Sequence, residues 1–265
     1  MKIALIGAGN VASTLGNTLK RKNTDIVYVW SHTEEHAYAL AKDIGCPYGT
    51  DLAKVPTNVD VYLICVKDDA LSAVSSQLPD SPNILYVHTA GNQSLQLLES
   101  PQRHLWGVLY PLQTFNKERK NADLSHTPLF LEANNEESME KVKDLAGLVS
   151  DNIFLLSTEK RKFLHLAGVF SNNFTNYLHI LSEELLQEID VPFSVMLPII
   201  EEHTRKLHDL NPIQAQTGPA RRGDTSIVEE EGQLLCDPIK KNIYNILSEN
   251  IFDKFHPRGT NNNNK

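Results

Sequence analysis

The stretch Lys2-Ile3-Ala4-Leu5-Ile6-Gly7-Ala8-Gly9-Asn10-Val11-Ala12 decides the fold. A short β-rich run ends in a glycine turn and opens directly into a helical pattern. The spacing is G-x-G-x-x-A, the dinucleotide fingerprint. In it Gly7 permits a tight turn, Gly9 lets the backbone approach a pyrophosphate, and Ala12 is small enough for the helix to pack on the strand. Amides at the helix N-terminus would then face phosphate oxygens. Glycine triplets alone are weak evidence, but here the strand before and the helix after supply the required context. Gly7, Ala8, Gly9, Asn10 and Val11 are therefore expected to hold the cofactor.

Outward from this turn, strand-like and helix-like runs alternate. Helices are predicted over 11–22, 34–44, 69–78 and 136–150, with a helical turn over 95–99. Strands are predicted over 25–30, 59–66, 83–88, 107–110, 129–132 and 152–156. The run Val59-Asp60-Val61-Tyr62-Leu63-Ile64-Cys65-Val66 is nearly continuously apolar, as a central parallel strand covered on both faces should be. Such alternation implies right-handed βαβ units in a doubly wound sheet. From Thr158 onward no strand pattern remains. One long helix is predicted over 159–188, a second begins at Val191-Pro192 and is kinked at Pro198, and 211–224 reads as a loop. Two more helices follow over 225–235 and 238–255, the last capped by Asp237. The fold class is thus α/β, an N-terminal doubly wound Rossmann sheet (1–157) followed by an all-α C-terminal domain (158–258). Residues 259–265 form an asparagine-rich tail expected to be disordered.

The totals bound the function. A chain of 265 residues, 41% hydrophobic and 22% charged, has an ordinary globular composition. Its formal charge of −8 argues against a general partner among nucleic acids or anionic membranes. There is no membrane-length apolar run and no signal peptide pattern. Cys46, Cys65 and Cys236 are scattered without metal-type spacing, so buried free thiols in a reducing cytoplasm are expected and no metal site is.

The choice of nucleotide lies at the end of the second strand, Trp30-Ser31-His32-Thr33. An NAD site usually carries Asp or Glu there to hold the ribose hydroxyls, and none is present at the tip. Two hydroxyls and an imidazole can donate to a 2′-phosphate, which favours NADP over NAD. Ser31 and Thr33 could equally cap the following helix.

Ligands in such sheets lie beyond the C-terminal strand ends. Val66 and Lys67 would border the ribose and nicotinamide path, or form a solvated loop. His88-Thr89-Ala90-Gly91 would place donors near the nicotinamide, with His88 either facing a cleft or serving as a satisfied structural histidine. Tyr110-Pro111-Leu112-Gln113-Thr114-Phe115 sets Tyr110 and Gln113 past another strand, as candidate substrate contacts. On the long helix, Phe163, Leu166, Phe170, Phe174, Tyr177, Leu181 and Leu185 form an apolar stripe. His165, Asn172, Asn176 and His179 lie opposite. A reductase needs a donor to a carbonyl or imine, and His165 or Asn172 could supply it; interhelical hydrogen bonding is the alternative. Finally, Arg221 and Arg222 in Thr217-Gly218-Pro219-Ala220-Arg221-Arg222-Gly223-Asp224 could clamp an anionic group. An Arg222–Asp224 contact pinning the loop is the other reading.

These motifs, together with His165-Leu166-Ala167-Gly168-Val169-Phe170-Ser171-Asn172-Asn173, resemble the Rossmann-like DUF2520 family. Its members are labelled NADP or coenzyme F420-dependent oxidoreductases. The resemblance spans nearly the whole chain except the tail. It implies kinship with pyrroline-5-carboxylate reductase and the β-hydroxyacid dehydrogenases. It also implies an N-terminal NADP domain, a helical domain that makes a homodimer, and a substrate cleft between the two. Two departures stand out. The family commonly has Arg where His32 stands and His where Tyr110 stands. The Lys-x-x-x-Asn pair of the β-hydroxyacid dehydrogenases is absent from the long helix. The expected activity is hydride transfer between NADP(H) and a small polar carbonyl or imine. A pyrroline-5-carboxylate-type imine reductase and a non-catalytic NADP sensor or scaffold are the alternatives.

Overall fold

A computed structural model describes residues 1–116 and 123–257. The strands are β1 (Lys2–Ile6), β2 (Asp25–Trp30), β3 (Tyr48–Gly49), β4 (Val61–Ile64), β5 (Leu85–His88), β6 (Leu105–Pro111), β7 (Leu129–Ala133) and β8 (Ile153–Leu155). Helices α1 (Asn10–Arg21), α2 (Glu34–Ile44), α3 (Asp68–Gln77) and α4 (Glu136–Gly147) lie between them. The strands form one sheet in the order β3-β2-β1-β4-β5-β6-β7-β8. The order reverses between β1 and β4, which puts the Gly7–Gly9 turn at the switch point where α/β sheets bind ligands.

The expected α/β class holds, and β2 and α2 fall on their predicted residues. The sheet is nevertheless mixed. β6 and β7 run antiparallel, pairing Gly107 with Ala133 and Pro111 with Leu129. No helix occurs among the described residues between them, and an antiparallel pair needs no helical crossover. The two-residue β3 was too short to leave any periodic signal.

Alternation along the strands fills two cores. Ile3, Leu5, Val61, Leu63, Leu85 and Val87 enter the core that also takes Leu15, Leu19, Leu40 and Ile44 from α1 and α2. Ala4, Ile6, Tyr62, Ile64 and Tyr86 enter the other, with Leu71 and Val74 of α3. Each fully buried Leu or Ile contributes roughly 1.5–3 kcal/mol. The second core also encloses Arg103. Its Nε meets Asp80 Oδ1 at 2.5 Å, its Nη atoms donate to Ser75 and Leu98, and its guanidinium lies 4.1 Å from the Tyr86 ring centre.

The chain divides into two compact units, Met1–Phe174 and Thr175–Lys265. The first therefore extends past residue 157, where the strand pattern stops. It contains α5 (Thr158–Gly168), followed by a π-helical segment, Val169–Phe174. Arg161 of α5 explains the extension. It is wholly buried. Its Nη1 donates to the carbonyls of Ala90 (2.9 Å), Gly91 (3.2 Å) and Gln93 (2.8 Å). Its Nη2 meets Glu132 Oε2 at 2.9 Å and Thr158 Oγ1 at 3.1 Å. Glu132 in turn accepts from Thr158 N and Oγ1, so a carboxylate of β7 caps the start of α5.

The second unit, described by itself, is helical: α6 (Thr175–Gln187), α7 (Leu197–Asp209), α8 (Pro212–Ala215), α9 (Pro219–Arg222), α10 (Thr225–Leu234) and α11 (Pro238–Phe255). Three sequence expectations change here. The predicted 159–188 helix is interrupted by the π segment. Pro198 stands in the first turn of α7 and does not kink it, because the missing N–H costs nothing there. The 211–224 loop holds α8 and α9; each opens on a proline, and Asn211 and Gln214 form a capping box. Asp237 caps α11 as expected, accepting from Ile239 N and Lys240 N. Of the thiols, Cys65 is buried and Cys46 partly so, but Cys236 is exposed. The expectation for 259–265 lies outside the described residues.

Replacing Arg161 with Ala strips the partner from a largely enclosed carboxylate and frees three carbonyls. Urea unfolding should report a loss of about 3–5 kcal/mol. The loss in Arg161→Ala/Glu132→Gln should be clearly smaller than the sum of the single losses, because the two side chains share one network.

Candidate functional site

Two glycines of the opening turn do different jobs. Gly7 has φ +123°, and a Cβ there would lie 2.4 Å from the carbonyl oxygen of Cys65. Conformation and packing both require glycine. Gly9 has φ −80°, and a Cβ there would meet nothing within 4 Å. Neither reason applies, so its missing side chain leaves open space directly in front of α1. That helix has no side-chain cap and no acid in its first turn. Donor amides facing open space are the cradle a diphosphate requires, and the residues fit a dinucleotide.

A cavity lies on each side of this turn. One, of about 770 Å³, is lined by Gly7, Ala8 and Gly9 together with Ser31, His32, Thr33, Val66 and Lys67. The other, of about 580 Å³, is lined by Asn10 and Val11 together with Tyr110, Gln113, His165 and Asn172. The second is built wholly from residues of the first compact unit. Residues far apart in sequence are thus collected on either side of the glycine turn.

In the first cavity the tip of β2 behaves as a ligand surface. Thr33 is the N-cap residue of α2 but makes no side-chain cap bond, so the capping alternative is not realised through it. Ser31 is buried, and its Oγ accepts from Thr33 N at 3.4 Å. His32 and Lys67 are exposed. Sequence reasoning missed two titratable neighbours. His36 stands one turn into α2. Asp51 Oδ1 accepts from Ala53 N, and its Oδ2 lies 3.5 Å from Lys54 Nζ. Helical spacing from His32 could have found His36; nothing local marked Asp51.

The second cavity contains a hydrogen-bonded pair. Tyr110 Oη lies 3.2 Å from His165 Nδ1. Both pack against Gly91, where a Cβ would come within 2.7 Å of His165 Nδ1 and 2.8 Å of the Tyr110 ring. Burial pushes the Tyr110 phenol above its ordinary pKa; Arg161 opposes this and Asp68 adds to it. Asn172 comes from the π segment, a geometry frequent at functional sites. Gln113 Oε1 accepts from Thr114 N.

His88 corrects the cleft-facing expectation. It is fully buried, and its Nδ1 accepts from Ala90 N at 3.1 Å. Burial, followed by the nearby Arg161 charge, lowers its pKa to about 3. A neutral imidazole enclosed behind the turn supports the Ala90 amide and is closed off from solvent. Thr89 is also buried. Ala90 is partly exposed.

Arg221 and Arg222 belong to the second unit. Arg221 stacks 4.7 Å from the Phe255 ring centre. Arg222 Nε contacts Asp224 Oδ2 at 2.8 Å, the loop-pinning arrangement. Both Arg222 and Asp224 are substantially exposed, so the contact contributes little.

The family model described as NADP oxidoreductase coenzyme F420-dependent matches residues 2–90, and the domain of unknown function DUF2520 matches residues 127–251. The crystal structure of a "putative NADP oxidoreductase" from Bacteroides fragilis is 40% identical, covering 95% of this chain and 98% of its own, with a TM-score of 0.88. The chain belongs to this DUF2520-containing family of NADP oxidoreductases. A Thermotoga maritima protein shares 24% identity over 93% of this chain and 98% of its own, with a TM-score of 0.74. Pyrroline-5-carboxylate reductase from Streptococcus pyogenes shares 18% over 96% and 98%, with a TM-score of 0.64. These two likenesses establish the shared fold. No curated protein sequence matches the chain.

The buried His88 makes stability pH-dependent. Its folded pKa of about 3 lies below the ordinary 6.5, so between these values the unfolded chain binds the extra proton and stability must fall as pH falls. Compared with His88→Asn, the wild type should lose up to about 1.4 kcal/mol per pH unit in that window. Urea titrations of both proteins at several pH values measure the difference. Parallel curves would show that His88 is not held neutral.

Proposed function

We propose that this enzyme uses NADP(H) to transfer hydride to or from a small polar carbonyl or imine held beside His165. The observation that carries the reading is the pair of cavities flanking the Gly7–Val11 turn. The larger offers Ser31, His32 and Thr33, with no acid at the β2 tip, to a 2′-phosphate. The smaller offers polar side chains where the reacting end of the dinucleotide would lie. Asp51 lines the larger cavity too, but its carboxylate is turned to the Ala53 amide and Lys54.

The cofactor supplies the hydride when bound; the chain's residues orient, polarise and exclude water. The amides from Gly9 to Val11 bind the pyrophosphate. Val66, Lys67, Thr89 and Ala90 border the ribose and nicotinamide path, while His88 and Arg161 hold the Thr89–Gly91 backbone from behind. His165 directs a proton at the oxygen or nitrogen of the acceptor, and Asn172 and Gln113 orient its polar substituents.

We further infer a homodimer. Phe163 and Phe170 on the apolar stripe are 76% and 62% exposed in the single chain, and Phe174 and Tyr177 are also exposed. Exposed large apolar side chains at helical spacing along α5 and the π segment mark an interaction face.

Calorimetric titration should give NADPH the tighter binding, at least tenfold over NADH, and His32→Ala should reduce that ratio by about tenfold, or ~1.4 kcal/mol. Equal affinities in the wild type would remove the NADP assignment. A panel of carbonyl and imine substrates, including pyrroline-5-carboxylate, then identifies the acceptor. On it, His165→Ala should lower kcat by about 10²–10⁴ with NADPH affinity retained. Unchanged turnover excludes His165 from the chemistry.

A further inference from the structure

The Tyr110–His165 contact is too well enclosed to be incidental. Tyr110 is the penultimate residue of β6 and is 9% exposed, whereas His165 on α5 is only partly covered. The imidazole is therefore the member of the pair that opens more widely onto the cavity they both line. Its Nδ1 is taken by the phenol at 3.2 Å, leaving Nε2 as the nitrogen free to meet a ligand. The pair is held from two further directions. Gly91 abuts both rings so closely that no side chain fits there. Arg161, one helical turn before His165, fixes α5 to the Ala90, Gly91 and Gln93 carbonyls.

We propose that Tyr110 is a positioning residue that donates its hydroxyl proton to His165 Nδ1 and so holds the imidazole as the Nε2–H tautomer. The nitrogen partnered by a donor must be the unprotonated one, and the proton then resides on the other. The phenol carries that proton at neutral pH, because burial raises its pKa from an already alkaline value. A neutral imidazole with Nε2–H toward the cavity is an electrophile: it hydrogen-bonds a carbonyl oxygen or imine nitrogen and polarises the double bond.

The arrangement also completes the proton balance of a reduction. A bound cofactor would supply hydride to the acceptor carbon, and the Nε2–H bond would break as its proton joins the acceptor heteroatom. The Tyr110 O–H bond breaks in concert and its proton joins Nδ1. The ring stays neutral as the Nδ1–H tautomer, and the phenolate is reprotonated by water after product leaves. The assignment rests on the carbonyl or imine reading only for this last step; the tautomer itself is a property of the resting chain.

Nitrogen-15 NMR of the imidazoles in the full-length, uniformly labelled protein tests it, at alkaline pH and without substrate. The His165 signals are assigned by their absence from His165→Gln. The expected result is a protonated Nε2 and an unprotonated Nδ1 shifted upfield as a hydrogen-bond acceptor, with that displacement lost in Tyr110→Phe. A wild-type Nδ1–H tautomer would overturn the proposal, since the phenol oxygen would then be accepting. So would identical His165 shifts in Tyr110→Phe. The wild-type spectrum alone carries the first test should the variant fold poorly. On an acceptor found by the substrate panel, Tyr110→Phe should lower kcat at least tenfold with KM nearly unchanged. If His165→Ala leaves turnover intact, the catalytic reading fails while the tautomer result stands on its own.

Discussion

One buried guanidinium ties the first unit together. Arg161 has no solvent to share its charge with, and enclosing an unpaired cation would be strongly unfavourable. The chain answers with five acceptors from three places: the carbonyls of Ala90, Gly91 and Gln93, the Glu132 carboxylate and the Thr158 hydroxyl. These acceptors belong to the segment after β5, to β7, and to the start of α5. A helix beyond the sheet is thereby made part of the sheet's own unit. Buried ion pairs are weak guarantors of stability but can specify one arrangement among several. Here the arrangement specified is which part of α5 faces Gly91.

That specification reaches the candidate chemistry by helical arithmetic. Arg161 and His165 are four residues apart, so they rise from the same face. Fixing the first against the Ala90–Gln93 backbone leaves the second little choice but to lie on Gly91 and beside Tyr110. His88 supports the same backbone from inside the sheet, accepting from Ala90 N while Arg161 takes the Ala90 carbonyl. Two buried cationic-type side chains thus hold opposite poles of one peptide segment. Burial first, and the Arg161 charge second, keep the imidazole unprotonated.

The legible parts of the fold were those written in period. β2 and α2 follow from a run of β-branched and aromatic residues and a helical repeat ended by Gly45, whose φ is +88°. The glycine turn was legible because each small residue has a local reason. Arg161 was invisible because it sits in Lys160-Arg161-Lys162, which reads as a solvated charge run. Its burial is set by partners at positions 90–93 and 132, which no local window contains. The choice between a cleft-facing and a structural His88 stayed open for a related reason. A polar residue ending a β-strand can point to either face, and only the arrival of α5 decides which face is closed. The antiparallel β6–β7 pair escaped because strand direction is a property of the connection, and the residues between them carry no helix signal to set it.

The two glycines of the opening turn show how far a motif can be taken. Gly7 would be glycine in any protein with this backbone, since its φ and the Cys65 carbonyl both demand it. It therefore testifies to the turn and to nothing bound there. Gly9 is the informative one, because neither its backbone nor its neighbours need it. A position kept bare with no structural reason is evidence of something outside the chain, and at the N-terminus of an uncapped helix that something carries negative charge. The same logic applied to Gly91 gives the opposite result. There a missing side chain is explained by His165 and Tyr110, so the space is reserved for the protein's own pair. One bare position points to a ligand and the other to the machinery beside it.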